Sequence, residues 1–159
     1  MGRRFEFVDR VTKEREDEVA ICMKLPERST KNSAGYDFYA MEDIICKPHE
    51  ITMVRTGIKA KMEDDETLLL FNRSSNPKKK GLIILNGVGV IDADYYGNAE
   101  NDGEIAGLFY NMREEEVEIK AGDKIMQGIF AKYEKADDDE AEGERTGGWG
   151  STDAKNIEI

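Results

Sequence analysis

The sequence predicts a single all-β domain, built as a sandwich or barrel, and three observations carry that reading. Apolar residues gather in short runs rich in Val, Ile, Leu and Phe. Gly, Asn, Asp or Pro interrupts those runs at close intervals, and helical spacing of apolar residues is hard to find. A chain of 159 residues suits one hydrophobic core and leaves little room for a second.

In chain order, "EREDE" (14–18) is the first stretch where a helix fits. Strands are then expected at "VRTGIKAKM" (54–62) and "ETLLLFNR" (66–73). After Asn76, "PKKKG" opens with Pro77 and stops at Gly81, which predicts a short helical turn. Further strands follow in "GLIILNGVGVI" (81–91), "EIAGLFYN" (104–111) and "EVEIKAGDKIMQGIF" (116–130). No internal repeat interrupts the pattern. The strands and turns fill residues 1–133; residues 134–144 are almost without apolar side chains and read as a solvated acidic linker, and 145–159 form a C-terminal arm. The arm carries Trp149, the chain's only tryptophan, between glycines. It is either a packing anchor or a lid, since glycines, hydroxyls and an indole suit phosphates and a base.

Charge and composition narrow the function. Charged residues make up 36% of the chain and the net charge is −11, so a nucleic-acid-coating role is disfavoured and no nucleic-acid partner is expected. An apolar run of about 20 residues and a secretory leader pattern are both missing, which predicts a cytoplasmic protein without a membrane partner. Cys22 and Cys46 stand apart with only His49 as a companion, so buried thiols are expected rather than zinc or a disulfide. As His49 is the only histidine and sits in a probable turn, carboxylates must supply any general base. "NRSSN" (72–76) combines a guanidinium with two hydroxyls, a set suited to phosphate. "GVGVID" is neither a dinucleotide fingerprint nor a P-loop.

Five stretches in order resemble the motifs of the trimeric dUTP diphosphatase (dUTPase) family: "AGYDFYA" (34–40), "NRSS" (72–75), "NGVGVIDADYYGN" (86–98), "GDKIMQG" (122–128) and "RTGGWGST" (145–152). The resemblance implies a jelly-roll-like β fold and a homotrimer whose sites lie at subunit interfaces. Each site would be closed by the arm of another subunit. It further implies Mg²⁺-dependent hydrolysis of dUTP to dUMP and pyrophosphate. Residue by residue, Asp92 matches the base that deprotonates the attacking water. Asn86 and the backbone of Gly89, Val90 and Ile91 match the hairpin that reads uracil. Tyr95 matches the aromatic beneath the deoxyribose, and Trp149 takes the place of the phenylalanine over the base. Arg73, Ser74, Ser75 and Gln127 match phosphate contacts, as do Arg145, Ser151 and Thr152 in the arm. Asp37 matches the aspartate that holds magnesium through its water shell.

The sequence departs from the family pattern at several points. The arm is one residue shorter between Arg145 and Trp149, with Thr146 in place of glycine. Asn72 replaces a proline, and Tyr96 and Asn98 replace Arg and Glu. "NAENDGE" (98–104) resembles an insertion, and its carboxylates are expected to be solvated. A dCTP deaminase or bifunctional deaminase–diphosphatase shares the "RSS" element, but Leu108 stands where its glutamate base would be. A non-catalytic nucleotide-binding trimer is the remaining alternative.

Overall fold

The computed structural model describes residues 2–10, 24–145 and 147–149. Its strands are β1 (Arg4–Phe7), β2 (Tyr36–Tyr39), β3 (Ile44–Cys46), β4 (Ile51–Lys61), β5 (Glu66–Asn72), β6 (Leu82–Ile84), β7 (Val88–Asp92), β8 (Ile105–Asn111), β9 (Val117–Ile119) and β10 (Lys124–Lys132). They form one sheet ordered β1-β4-β8-β6, a second ordered β2-β10-β5-β7, and a small β3-β9 pair. The all-β expectation holds. The predicted helix at 14–18 and the thiol of Cys22 lie outside the described residues, whereas Cys46 is a buried free thiol, as expected. Among the described residues, no helix is long and apolar enough to cross a membrane.

The two large sheets share one core. Phe38, Leu68, Leu70 and Met126 from one meet Val54, Ile58, Leu82, Ile105 and Phe109 from the other. Alternation within each strand selects these residues: on β5, Leu68 and Leu70 are buried while Leu69 is only half-buried. Burying each such side chain contributes about 1.5–3 kcal/mol, so the sandwich holds its register firmly.

That register positions the rest. Asp92 lies opposite Thr67 at the start of β5, and Val88 lies opposite Phe71 near its end. On the other side of β5, Met126 of β10 pairs with Asn72, and Gln127 of β10 pairs in turn with Asp37 of β2. The predicted turn after Asn76 is a π-helical turn over Asn76–Lys80, with Pro77 at its start and Gly81 in the left-handed conformation at its end. Asn72 ties this turn down. It accepts from Asn76 Nδ2 (2.8 Å) and donates to the Leu82 carbonyl (3.0 Å).

The stretch 98–104 departs from expectation. Glu104 is buried and Asp102 is half-buried; only Glu100 of its carboxylates is exposed. The cause is a register shift in β4 between Arg55 and Ile58, opposite β8. Such a bulge withdraws backbone groups from the ladder. Glu104 fills the gap: it accepts from Gly57 N (3.2 Å), from Arg55 through both Nε (3.1 Å) and Nη2 (3.1 Å), and from Arg10 Nη2 (2.7 Å). Asp102 accepts from Lys59 Nζ (2.7 Å) and from Asp9 N (2.9 Å). These carboxylates are therefore structural ion-pair partners whose cations come from β4 and the N-terminal segment.

Candidate functional site

The predicted site residues form two groups at opposite ends of β5. The first surrounds Asp37 on β2. Its Oδ2 accepts from Lys124 Nζ (2.7 Å) and Ser29 Oγ (2.7 Å), and its Oδ1 faces Arg73 Nε at 3.2 Å. Burial pushes the Asp37 carboxyl up, but Lys124, Ser29 and Arg73 outweigh it and hold its pKa below the ordinary value. Gln127 enters from β10, and its side chain explains Gly35 in the first motif: a Cβ there would sit 2.5 Å from Gln127 Oε1. Ser74 is exposed, and Ser75 precedes the π-helical turn without using its hydroxyl as a cap. A surface pocket here is lined by Arg73, Ser75, Lys79, Lys80 and Lys124, with Asp123 paired to Lys80 at 2.6 Å. In a chain of net charge −11 this is a concentrated patch of positive charge and hydroxyls, the chemistry of an anion cradle.

The second group surrounds the β6–β7 hairpin. A cavity of about 190 Å³ is lined by Asn86, Gly89, Ile91, Tyr95, Glu104 and Trp149, among others. β7 is an outer strand of its sheet, so alternate backbone N–H and C=O groups of 88–92 point away from β5. Val90 is 60% exposed, although it belongs to the strand. Asp92 ends β7 with a half-exposed side chain and is followed by a 3₁₀ turn over Ala93–Tyr95. That turn buries Tyr95, whose hydroxyl donates to the Glu104 carbonyl (2.8 Å) and accepts from Asn101 Nδ2 (2.8 Å). Asn98 organises the loop by donating to Tyr95 O (2.8 Å) and accepting from the backbone of Glu100 (3.1 Å) and Asn101 (3.2 Å). Gly103 lies against this turn with φ +82°, and a Cβ there would stand 2.7 Å from Tyr95 O.

The arm lies on the hairpin of its own chain. Arg145 is only 12% exposed; its Nη2 donates to Asp92 Oδ2 (2.5 Å), its Nε to Asp94 Oδ1 (2.8 Å), and its guanidinium stands 5.7 Å from the Tyr95 ring centre. Burial alone would pull the Arg145 pKa down, but Asp94 and Asp92 reverse the shift and raise it. Arg145 is thus found on the carboxylates of the third motif and not beside Arg73. Trp149 is half-exposed at the cavity rim, in the same pocket as Tyr95. Ser151 and Thr152 lie outside the described residues.

The two groups do not meet within one chain. Thr67, opposite Asp92, and Asn72, beside Arg73, are separated by about 17 Å of strand at about 3.3 Å per residue. Sequence reasoning missed Lys124, Ser29, Glu100, Asn101 and Glu104. Lys124 sits inside the fourth motif and its position there was the available signal; Ser29 carried none.

The β-sandwich thus carries an anion cradle at one end of β5 and, at the other, an open-edged hairpin that ends in a carboxylate. Comparison with known proteins specifies it further. The sequence model of the dUTPase family matches residues 22–152. A deoxyuridine 5'-triphosphate nucleotidohydrolase of Lactococcus lactis is 48% identical over 134 residues, covering 83% of this chain and 89% of the relative. Another, from Helicobacter pylori, is 32% identical, covering 80% and 88%. The crystal structure of a Streptococcus mutans dUTPase superposes with a TM-score of 0.75 at 38% identity, covering 86% of this chain and 99% of that one. A mutant dUTPase from phage phi11 of S. aureus, solved with a structural Mg(II) ion, shares the fold with a TM-score of 0.68 at 18% identity. The chain belongs to the dUTPase family.

Proposed function

We propose that this chain hydrolyses dUTP to dUMP and pyrophosphate, with Asp92 as general base, in sites completed between copies of a homotrimer. Family membership makes dUTP hydrolysis the reaction; the residue roles and the assembly are our reading. The observation that carries the reading is the division of one chain into a hairpin with Asp92 and a distant cluster around Asp37 and Arg73. A nucleoside triphosphate needs both, so a second copy must bring the cluster to the first copy's hairpin. The outer face of β4, β8 and β6 supports self-association. Ile51 and Met53 stand exposed opposite Tyr110 and Leu108, and Ile83 lies opposite Tyr110.

The chemistry follows from the groups. Uracil presents acceptor, donor, acceptor along one edge, which matches alternating N–H and C=O groups on the outer edge of β7 at Gly89, Val90 and Ile91, with Asn86 at the tip. Cytosine reverses part of that pattern and would leave buried groups unpaired, a loss of up to several powers of ten. Tyr95 packs beneath the sugar, where its buried ring leaves no room for a 2′-hydroxyl, and Trp149 covers the base. Arg145 engages Oδ2 of Asp92, leaving Oδ1 to take the proton of a water attacking the α-phosphorus. Arg73, Ser74, Ser75 and Gln127 hold the phosphates, joined by Arg145, Ser151 and Thr152 when the arm engages a nucleotide.

Among the described residues no group of three His, Cys, Asp or Glu could cage a metal. Asp37 alone fits Mg²⁺ in a different way, because that ion keeps several waters and binds mainly through substrate phosphates. Asp37 is held ionised and would hold it through its water shell. When bound, the metal supplies neutralisation of phosphate charge. The reaction removes dUTP before uracil can enter DNA and yields dUMP.

Pyrophosphate release measured from each dNTP, with and without Mg²⁺, tests the reading. Release from dUTP far above dCTP and dTTP, and dependent on metal, is expected. Ammonia release from dCTP, or no turnover of any nucleotide, would instead favour a deaminase or a binding protein.

A further inference from the structure

We propose that Asn101 is a positioning residue: with the Glu104 carbonyl it fixes the tilt of the Tyr95 ring and so sets the choice of deoxyribose over ribose. The inference rests on the reading above, in which Tyr95 lies beneath the sugar, and adds to it a residue outside the five motifs.

A steric wall discriminates only as well as it is held. Ribose differs from deoxyribose by one oxygen, and a pocket that rejects an added hydroxyl by shape alone gains about 10²-fold. A ring free to shift by about 1 Å would surrender much of that. Tyr95 ends a 3₁₀ turn of three residues, and Gly97 follows in the left-handed conformation at φ +71°. A turn that short fixes the backbone and leaves the far end of a long side chain to its neighbours.

The loop at 98–104 supplies those neighbours. Asn98 Oδ1 accepts from the backbone N–H groups of Glu100 (3.1 Å) and Asn101 (3.2 Å), which turns its Nδ2 toward Tyr95 O (2.8 Å) and Asn101 Oδ1 (2.7 Å). Asn101 Oδ1 also accepts from Gly103 N (3.1 Å), so Asn101 Nδ2 is the atom left to face Tyr95 Oη at 2.8 Å. Backbone donors thus fix both amide orientations. Because Asn101 donates to it, the Tyr95 hydroxyl directs its one proton to the Glu104 carbonyl (2.8 Å). Two amides joined to each other therefore grip Tyr95 at its carbonyl and at its hydroxyl.

The grip is anchored in the sheet. Glu104 N donates to Asn101 O (3.0 Å), the next residue, Ile105, pairs with Ile58, and the Glu104 carboxylate is bound at the bulge by Arg55 and Gly57 N. Asp102 is held by Lys59, whose side chain is only 8% exposed. The Tyr95 ring is consequently referenced to β4 and β8 as well as to its own turn.

Pyrophosphate release from dUTP and from UTP, compared as kcat/KM in the intact protein with Mg²⁺, tests the proposal. Asn101→Ala should shift the ratio toward UTP by about tenfold. Tyr95→Phe, which keeps the ring and removes both hydroxyl bonds, should shift it by a similar factor. The double variant should show no further change, because the two substitutions break one shared contact. An Asn101 that merely supports the loop would lower Tm and slow both nucleotides alike. An unchanged ratio in Asn101→Ala, or factors that multiply in the double variant, would overturn the proposal; should Asn101→Ala not fold, an unchanged ratio in Tyr95→Phe overturns it alone. Tyr95→Ala separates the proposal from the reading beneath it and should relax the ratio most. If it relaxes the ratio while Asn101→Ala does not, only the positioning role falls. If it discriminates as wild type does, Tyr95 is not the wall beneath the sugar and both fall.

Discussion

The cluster around Asp37 and the hairpin around Asp92 sit at the two ends of one strand, yet they are held in opposite ways. Asp37 and Gln127 face each other across the paired strands β2 and β10, and the Asp37 carboxylate is held by Lys124, Ser29 and Arg73. Asp92 ends an outer strand, half-exposed, and its partner Arg145 comes from an arm reached through a linker of exposed residues. In the proposed reaction the first region would receive phosphate with little reorganisation. The second is assembled from loops and can open for a nucleotide, which is where mobility is useful in a hydrolase.

Four measurements sharpen or break this contrast. The largest effect is expected from Asp92→Asn, which removes the base but keeps a hydrogen-bonding side chain. Steady-state kinetics should show kcat down by about 10²–10⁴-fold, with nucleotide binding held within about tenfold. Turnover at the wild-type rate would remove Asp92 from the mechanism. Glu104→Ala comes next, because it strands Arg55 and the Gly57 N–H at the bulge of β4. A loss of about 3 kcal/mol is expected, seen as a fall in Tm of about 6–12 °C, and a shift under 2 °C would show that the bulge does not need its carboxylate.

Truncation after Glu142 should leave the oligomer's mass unchanged by light scattering while kcat/KM falls about 10²-fold, as for a misplaced positioning element. Retained activity would mean that the arm is not part of the site. The smallest effect concerns acid. Because the folded-state pKa of Asp37 is depressed, its ionised form adds stability above the unfolded value near 3.8 and loses it as pH falls through the folded value. The Tm difference between wild type and Asp37→Asn should therefore hold from neutral pH to about pH 5 and shrink below about pH 4. A gap that widens in acid would contradict the pairing with Lys124 and Arg73.

Much of the fold could be read from local sequence, and the reasons are local. In "ETLLLFN", which becomes β5, Leu68 and Leu70 are buried and Leu69 is half-buried; Pro77 and Gly81 bracket a helical turn as their chemistry dictates. What stayed hidden depends on distant partners. Glu104 and Asp102 read as solvated because Arg55 and Lys59 lie more than 40 residues earlier, and only the β4–β8 register brings them together. Lys124 was visible as a lysine, but its bond to Asp37 spans 87 residues. The family resemblance assigned residues to the chemistry and implied sites shared between subunits; it did not reveal that the arm rests on the loop at 98–104.

The division of the site between copies is the central claim, and mixing two inactive variants tests it. Asp92→Asn lacks the base and Arg73→Ala lacks the phosphate arginine, so each alone should release little pyrophosphate from dUTP. After subunit exchange at equal amounts, sites that combine an intact hairpin with an intact cluster from a neighbour should form at roughly a quarter of the total, and activity should recover toward that level. A mixture that exchanges subunits, as followed by mass spectrometry of the intact assembly, but stays as inactive as its parents would contradict the claim and require both groups to act within a single chain.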